Sequence, residues 1–438
     1  MTIIYFLVAV FIAWIWVDYF RIIDLFEKEK LSTVLFTFIL GCFSVFIVFG
    51  VHSFALDNFY WEMNGNFLND FLYSVFKIGL LEEISKSVPV IIIYFLFKKQ
   101  FNEPIDYVIY FSVSALGFSA IENVLYFNNH GPQIISTRAI LCSLGHMYDT
   151  SLIAYAVIRY KFYKKNILEF LFFCSLSIIA HGFYDFWLMY EPAVKIGFLI
   201  TIVFFLVCMS WFATIMNNAL NNSPFFTHGI KINPHKITKQ LFIYYGIVFV
   251  IEFVLIDFKE NSIENAFGNL IYDLISNGVI IFFAVKSLSV FELKKGFWAP
   301  FELNLPFVLK PIHLFNQQKK GISDWVNFKG ESVNEILIDD YIGKEITLVF
   351  LPNHDNSTKC SIIKKISLQK YEHHYLVNLK CNEGVKSFVI HAKNTGKKRI
   401  NNKYPIVALL DIVDVNVYNK KMLTIKNLRY NSWSYLRF

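Results

Sequence analysis

The sequence predicts an all-α polytopic membrane bundle of about nine transmembrane helices, followed by a small β-rich cytoplasmic domain. Three observations predict it. Of 438 residues, 55% are hydrophobic and only 17% are charged, where a soluble globular domain carries about 25% charged residues. Apolar stretches of spanning length recur along the chain as far as residue 290,. From residue 296 the composition turns mixed and rich in Lys and Asn, with short runs of strand-forming residues,. The expected domains are therefore a membrane domain over 1–290 and a C-terminal domain over 296–438.

The first span is expected over 3–20. Its leading residues, "MTIIYFLVAVFIAWIWVDYF", lack a basic n-region and a small-residue cleavage site, so it reads as a retained helix rather than a signal peptide,. Further spans are expected over 31–51, 71–97, 105–127, 135–158, 167–190, 194–216, 241–258 and 267–285,. Basic residues collect after the odd-numbered spans: Arg21, Lys28 and Lys30; Lys98 and Lys99; Arg159, Lys161, Lys164 and Lys165; Lys231, Lys236 and Lys239; Lys286, Lys294 and Lys295. The opposite loops are nearly free of them, with Lys195, Lys259 and Arg138 as the exceptions. The positive-inside rule then puts the N-terminus outside and the C-terminus in the cytoplasm. The same rule accounts for the net charge of +7 without nucleic acid as a partner,; the partner demanded by composition is the lipid bilayer.

In the C-terminal region strands are expected over 346–351, 361–368, 374–380, 385–393 and 405–417, forming a barrel or sandwich whose partner the sequence leaves unknown,. His373 and His374 read as strand-surface residues, because no Cys or carboxylate stands at ligand spacing from them. Cys42, Cys142, Cys174 and Cys208 fall in apolar stretches and read as small hydrophobes,. Cys360 and Cys381 have no CxxC spacing, so neither a zinc knuckle nor a disulfide framework is indicated,.

The chemistry is carried by ionisable residues inside spans three to six. "LLEEISKSVPVIIIYFLF" has only ten apolar residues after its lysine, so a spanning helix must draw Glu82, Glu83 and Lys86 into the membrane,. The fourth span carries Glu122, the fifth Arg138, His146 and Asp149, and the sixth His181 and Asp185. A charge at mid-membrane costs at least ~2.5 kcal/mol, so such residues face the bundle interior and mark a site. Lys86 is three and four residues from the two glutamates and can neutralise either. Asp185 follows His181 by four residues and can orient its imidazole; Asp149 is spaced to do the same for His146. With alternating span directions, Glu82, Glu122, His146 and His181 all fall roughly 8–16 Å below the extracytoplasmic face. Ser114, Ala115, Gly117, Ser119 and Ala120 would let helices approach the fourth span closely. Glu252 and Asp273 lack basic or imidazole partners in the pattern and read as structural.

Three motifs stand in order on these helices: Glu82-Glu83-Ile-Ser-Lys86, Phe118-Ser-Ala-Ile-Glu122 and His181-Gly-Phe-Tyr-Asp185. This stretch, about Phe71 to Tyr190, resembles the PrsW family of bacterial membrane peptidases, defined by EExxK, FxxxE and HxxxD. It is similar more distantly to the CAAX-processing membrane proteases, which have histidine where Glu122 stands. The resemblance implies a catalytic core over about 66–192 in a bacterial cytoplasmic membrane. It implies hydrolysis of a membrane-anchored protein, such as an anti-sigma factor, on its extracytoplasmic side.

The residues suggest the means. Glu82 or Glu83 would act as general base on a water. Glu122 and His181 would position that water, Asp185 would orient His181, and His146 or Lys86 would stabilise the oxyanion. The alternative chemistry holds a divalent metal such as zinc between Glu122, His146 and His181. Two rival functions fit parts of the pattern. A proton- or ion-coupled transporter would also bury Glu, Lys, His and Asp, but no inverted repeat is visible. A non-catalytic membrane scaffold would present the C-terminal domain and tolerate loss of Glu82.

Overall fold

The computed structural model describes residues 1–53, 61–228 and 232–303 except 292, 294 and 295, the pair 312–313, and strand segments between 345 and 437. The chain divides into two units. The first holds Met1–Ser223, Lys231–Leu293 and Trp298–Leu314.

This unit is helical. Its helices are α1 (Thr2–Ile23), α2 (Leu31–Val51), α3 (residues 67–96), α4 (Pro104–His130), α5 (residues 135–163), α6 (Ile167–Met189), α7 (Val194–Asn221), α8 (Pro234–Glu260) and α9 (Ile263–Leu288). Seven are long and apolar enough to cross a membrane; α3 and α5 are not among them. Both are continuous rods broken by π-helical turns, at Tyr73–Gly79 in α3 and at Arg138–Cys142 and Arg159–Tyr163 in α5. These two rods also bear Glu82, Glu83, Lys86, Arg138, His146 and Asp149. The expected nine spans thus resolve into seven apolar helices and two polar, π-interrupted ones. Such turns concentrate at functional sites.

Helix starts follow from capping residues. Asn66, Asn166 and Asn233 each accept backbone N–H bonds at the head of α3, α6 and α8,. Glu103 and Asp106 form a reciprocal capping box on α4, with Pro104 at its first turn,. Helix α5 has no cap of its own. Instead both carboxylate oxygens of Glu252, on α8, accept from Ser136 N at 3.3 Å. Asn277 on α9 donates to Ser136 Oγ at 3.0 Å and to Thr137 Oγ1 at 2.9 Å, and to Asp273 Oδ1 at 3.0 Å. The polar residues of α8 and α9 therefore satisfy the head of α5, in keeping with the structural reading of Glu252 and Asp273.

Helix α4 lies at the centre, and every residue from Pro104 to Ala120 is buried. Two glycine contacts set its neighbours. A Cβ on Gly117 would lie 2.2 Å from Phe38 O, and one on Gly41 would lie 2.3 Å from Ser114 O. The backbones of α2 and α4 thus touch directly, as small residues permit. Between α3 and α6 the pair is Gly79 and Gly182: a Cβ on Gly182 would lie 2.4 Å from Val75 Cα, inside the π turn of α3.

In the second unit the described backbone from 345 onward is strand. Glu345–Phe350, Ser357–Gln369, Glu372–Cys381, Gly384–Lys393, Leu409–Asp414 and Ser434–Arg437 pair antiparallel. The side chains of Cys360, His373, His374 and Cys381 lie outside the described residues.

Candidate active site

Lys86 is the hub. It lies nearly two turns into the α-helical part of α3, three residues before Pro89, and is fully buried,. Its ammonium donates to Glu83 Oε1 at 2.9 Å, Glu82 Oε2 at 3.1 Å and His146 Nδ1 at 2.8 Å, which uses all three protons,. The charge also sits 4.6 Å from the ring centre of Phe118, a cation–π contact. Pro89 disturbs the helix ladder here, and Ser114 Oγ of α4 donates to Lys86 O at 2.5 Å.

The two glutamates are unequal. Glu83 is fully buried, and both its oxygens are committed. Oε1 accepts from Lys86 and from His181 Nδ1 at 2.8 Å. Oε2 accepts from Thr150 Oγ1 at 2.7 Å, with Ser177 Oγ a further 3.2 Å away while that hydroxyl donates to Asp149 O at 2.7 Å. The Glu82 side chain keeps 13% exposure, and its Oε2 lies 3.3 Å from His181 Nε2. One carboxylate is fixed by three donors, Lys86, His181 and Thr150, while its neighbour keeps some exposure, as the turn of about 100° between adjacent helical positions allows.

The imidazoles are oriented from outside the cluster. His181 Nε2 lies 3.3 Å from Asp185 Oδ2, the expected i,i+4 pair. His146 is oriented by Glu122, not by Asp149 as its spacing suggested. Its Nε2 donates to Glu122 Oε2 at 2.7 Å, and with Lys86 on Nδ1 both its nitrogens are occupied. The rings of His146 and His181 stand 5.2 Å apart, centre to centre. Glu122 is held in turn by Arg138, whose Nη2 is 3.0 Å from Oε2. Arg138 Nε donates to Asn123 Oδ1 at 2.6 Å, and its guanidinium lies 3.7 Å above the Tyr126 ring.

All seven expected residues, Glu82, Glu83, Lys86, Glu122, His146, His181 and Asp185, therefore meet in one network, and the geometry revises the metal set. Among the described residues, the group able to hold an ion is Glu82, His146 and His181, whose ligand atoms lie within 4.8 Å of one another. Glu122 acts on His146 from behind. Two imidazoles and a carboxylate are a donor set that suits zinc, although Lys86 would first have to leave His146 Nδ1. Sequence reasoning missed Thr150 and Ser177 as ligands of Glu83. Their signal was present, since Thr150 follows His146 by four residues and Ser177 precedes His181 by four, on the same helix faces.

The comparisons with known proteins meet this geometry at the same residues. Residues 29–212, which contain the whole cluster, match the PrsW family intramembrane metalloprotease. Protease PrsW of Clostridioides difficile (strain 630) is 31% identical over 211 residues, spanning 46% of this chain and 86% of the relative. The chain belongs to the PrsW family. Protease PrsW of Geobacillus kaustophilus (strain HTA426) is 29% identical over 39% of this chain and 73% of its own. The Bacillus subtilis (strain 168) Protease PrsW is 29% identical over 39% and 75%. No solved structure matches the chain. As a PrsW family member the protein is a membrane-embedded intramembrane protease, which sets aside the transporter and scaffold readings. Its buried glutamates, imidazoles and lysine are the groups available to that hydrolysis.

Proposed function

We propose that this PrsW family chain cleaves a single-pass, membrane-anchored protein of the anti-sigma-factor type near its extracytoplasmic face, with Glu82 as the base that activates water. The observation that carries the choice of base is the inequality of the pair: Glu83 has no free oxygen, whereas Glu82 is partly exposed beside both imidazoles. A general base has to reach the proton it removes. Glu83 instead fixes Lys86 and His181. Asp185 holds His181 from the other side, and the Arg138–Glu122 pair holds His146. Lys86 supplies a positive charge in a dry site, where an oxyanion draws most from it.

Glu82, His146 and His181 would hold a zinc ion once Lys86 released His146 Nδ1; the ion would supply Lewis acidity to the water and the scissile carbonyl, with Glu82 then a ligand in place of the base. The residues around it keep their work in either case: Glu122 and Asp185 orient the imidazoles, and Glu83 and Lys86 set the local charge. In the same proposal the N-terminus lies outside, and the unit that runs from Phe315 to the C-terminus, not from 296 as the composition suggested, is a small β-rich domain in the cytoplasm.

The test is a proteomic comparison of membranes carrying the wild-type protein, Glu82→Gln or Glu83→Gln. Glu82→Gln should accumulate normally and leave one membrane-anchored protein uncut. Glu83→Gln should also lower the amount of inserted enzyme. Near-normal cleavage by a stable Glu82→Gln protein overturns the assignment of the base.

A further inference from the structure

The chain beyond α9 returns to the helical unit, where residues 298–301, Trp-Ala-Pro-Phe, are gripped at three points. Asn218, in the last turn of α7, is fully buried and clamps the backbone at Ala299. Its Oδ1 accepts from Ala299 N at 2.6 Å and its Nδ2 donates to Ala299 O at 3.0 Å. That nitrogen spends its other proton on Tyr155 Oη of α5, 2.8 Å away,. Phe301 is 1% exposed. Its ring stands 5.7 Å from Tyr155, 5.0 Å from Phe173 of α6 and 5.4 Å from Trp211 of α7, centre to centre. Trp298 packs on Tyr163 at 5.2 Å and lies 5.1 Å from the Arg159 guanidinium, both in the last π turn of α5.

This seat has the parts of a peptide-recognition site. Paired hydrogen bonds to one residue's N–H and C=O recognise backbone, as an added strand does, while pockets for side chains give specificity. Pro300 is fixed in φ and biases Ala299 to extended backbone, so less freedom is lost on docking. Aromatic anchors in desolvated pockets carry most of the energy of such contacts. The seat also bears on the candidate site. Phe301 touches α5 and α6 together, where Tyr155 and Phe173 meet at 4.9 Å. Thr150 stands five residues before Tyr155 and Ser177 four after Phe173, roughly 6–8 Å further along each helix. These are the two hydroxyls that stand against Glu83 Oε2, and His146 and His181 lie one turn beyond them. Asn218 and residues 298–301 fall outside the family match, which ends at residue 212.

We infer that α5, α6 and α7 form a peptide-binding groove at their ends remote from the candidate site, which the chain fills in cis with Trp298–Phe301. Its occupancy sets the α5–α6 spacing on which Glu83 and the two imidazoles depend. Phe301 and Asn218 are thus positioning residues for the protease, and the chain that runs on to the C-terminal unit is tied to the enzyme through them. The part that concerns cleavage rests on the proposed function; the groove does not.

The full-length Trp298→Ala/Phe301→Ala protein, purified in detergent, is titrated with a fluorescein-labelled peptide of residues 296–303, Gly-Phe-Trp-Ala-Pro-Phe-Glu-Leu, while anisotropy is followed. The double variant should bind it saturably. Wild type should show no saturable binding below about 1 mM, because a short tether holds its own segment at an effective concentration of that order. Asn218→Ala added to the double variant, or Phe301→Ala made in the peptide, should weaken binding about tenfold or more. Phe301→Ala alone serves for the titration should the double variant fail to accumulate. On the protein that Glu82→Gln leaves uncut, the double variant's kcat should fall about tenfold at unchanged KM, and saturating peptide should restore it. Phe301→Leu, which refills the pocket, should cut at near the wild-type rate. No saturable binding by the double variant, binding equal to the wild type's, or binding indifferent to Asn218→Ala overturns the groove. Saturable binding that leaves kcat where it was overturns the positioning role. The titration needs no substrate, so it stands or falls apart from the assignment of one.

Discussion

Lys86 lends its three protons to two carboxylates and one imidazole, so its removal should do more than delete a charge. Lys86→Met leaves Glu83 buried without its cation, and breaking a buried pair from one side costs about 3–5 kcal/mol. We expect this variant to accumulate poorly. Lys86→Met with Glu83→Leu removes both charges, and replacing a buried pair by apolar residues is often neutral or stabilising. The double variant should regain wild-type abundance and thermal stability in detergent yet remain inactive; immunoblotting beside a cleavage assay reads both. A double variant as poorly inserted as the single one would mean that Glu83 stabilises the fold through Thr150 and Ser177 rather than through Lys86. At this scale much was legible. The spacings of Glu83 to Lys86 and of His181 to Asp185 named real contacts, because i,i+3 and i,i+4 neighbours on one helix are fixed by its pitch. Contacts between helices were not legible: the Glu122–His146 pair depends on how α4 and α5 are rotated against each other, which no local period encodes.

Among helices, the decisive contacts are glycines. Gly182 stands next to His181 and packs on the π turn that precedes Glu82 and Glu83. Gly182→Ala would force α6 away from α3 and move His181 relative to Glu83. Displacements of about 1 Å in a catalytic site cost on the order of 100-fold in rate. Cleavage by Gly182→Ala should fall by about that much, while much of the protein still inserts. Gly246→Ala, with no atom within 4 Å of the new Cβ, should be silent. Equal activity for the two would show that the α3–α6 spacing does not set the site. The positions of the helices were readable from apolar length alone. The π turns were not, since a π turn widens the helix by a residue without leaving a compositional trace.

For the molecule as a whole, the loop charges predict one orientation. Reporter fusions after Gly65 and Gly131 should report the extracytoplasmic side, and fusions after Lys99, Lys165 and Lys295 the cytoplasm. A cytoplasmic signal at Gly131 would invert α4 and put Glu122 at the wrong depth. The family match ends at residue 212, and every member of the Lys86-centred network precedes it, which invites the idea of a minimal enzyme. The capping of α5 argues otherwise. The amide of Ser136 finds its acceptor 116 residues away, on Glu252, so the helix that carries His146 is finished by a segment translated long after it. In terms of biosynthesis, the groups that close the head of α5 are translated more than 100 residues after it, so α5 is expected to stay open-ended until α8 and α9 follow. A chain stopped after Asn221 should therefore insert, hold all seven side chains of the candidate site, and still cleave poorly. Supplying residues 232–303 as a separate polypeptide should restore cleavage, and Glu252→Ala in that second piece should abolish the rescue.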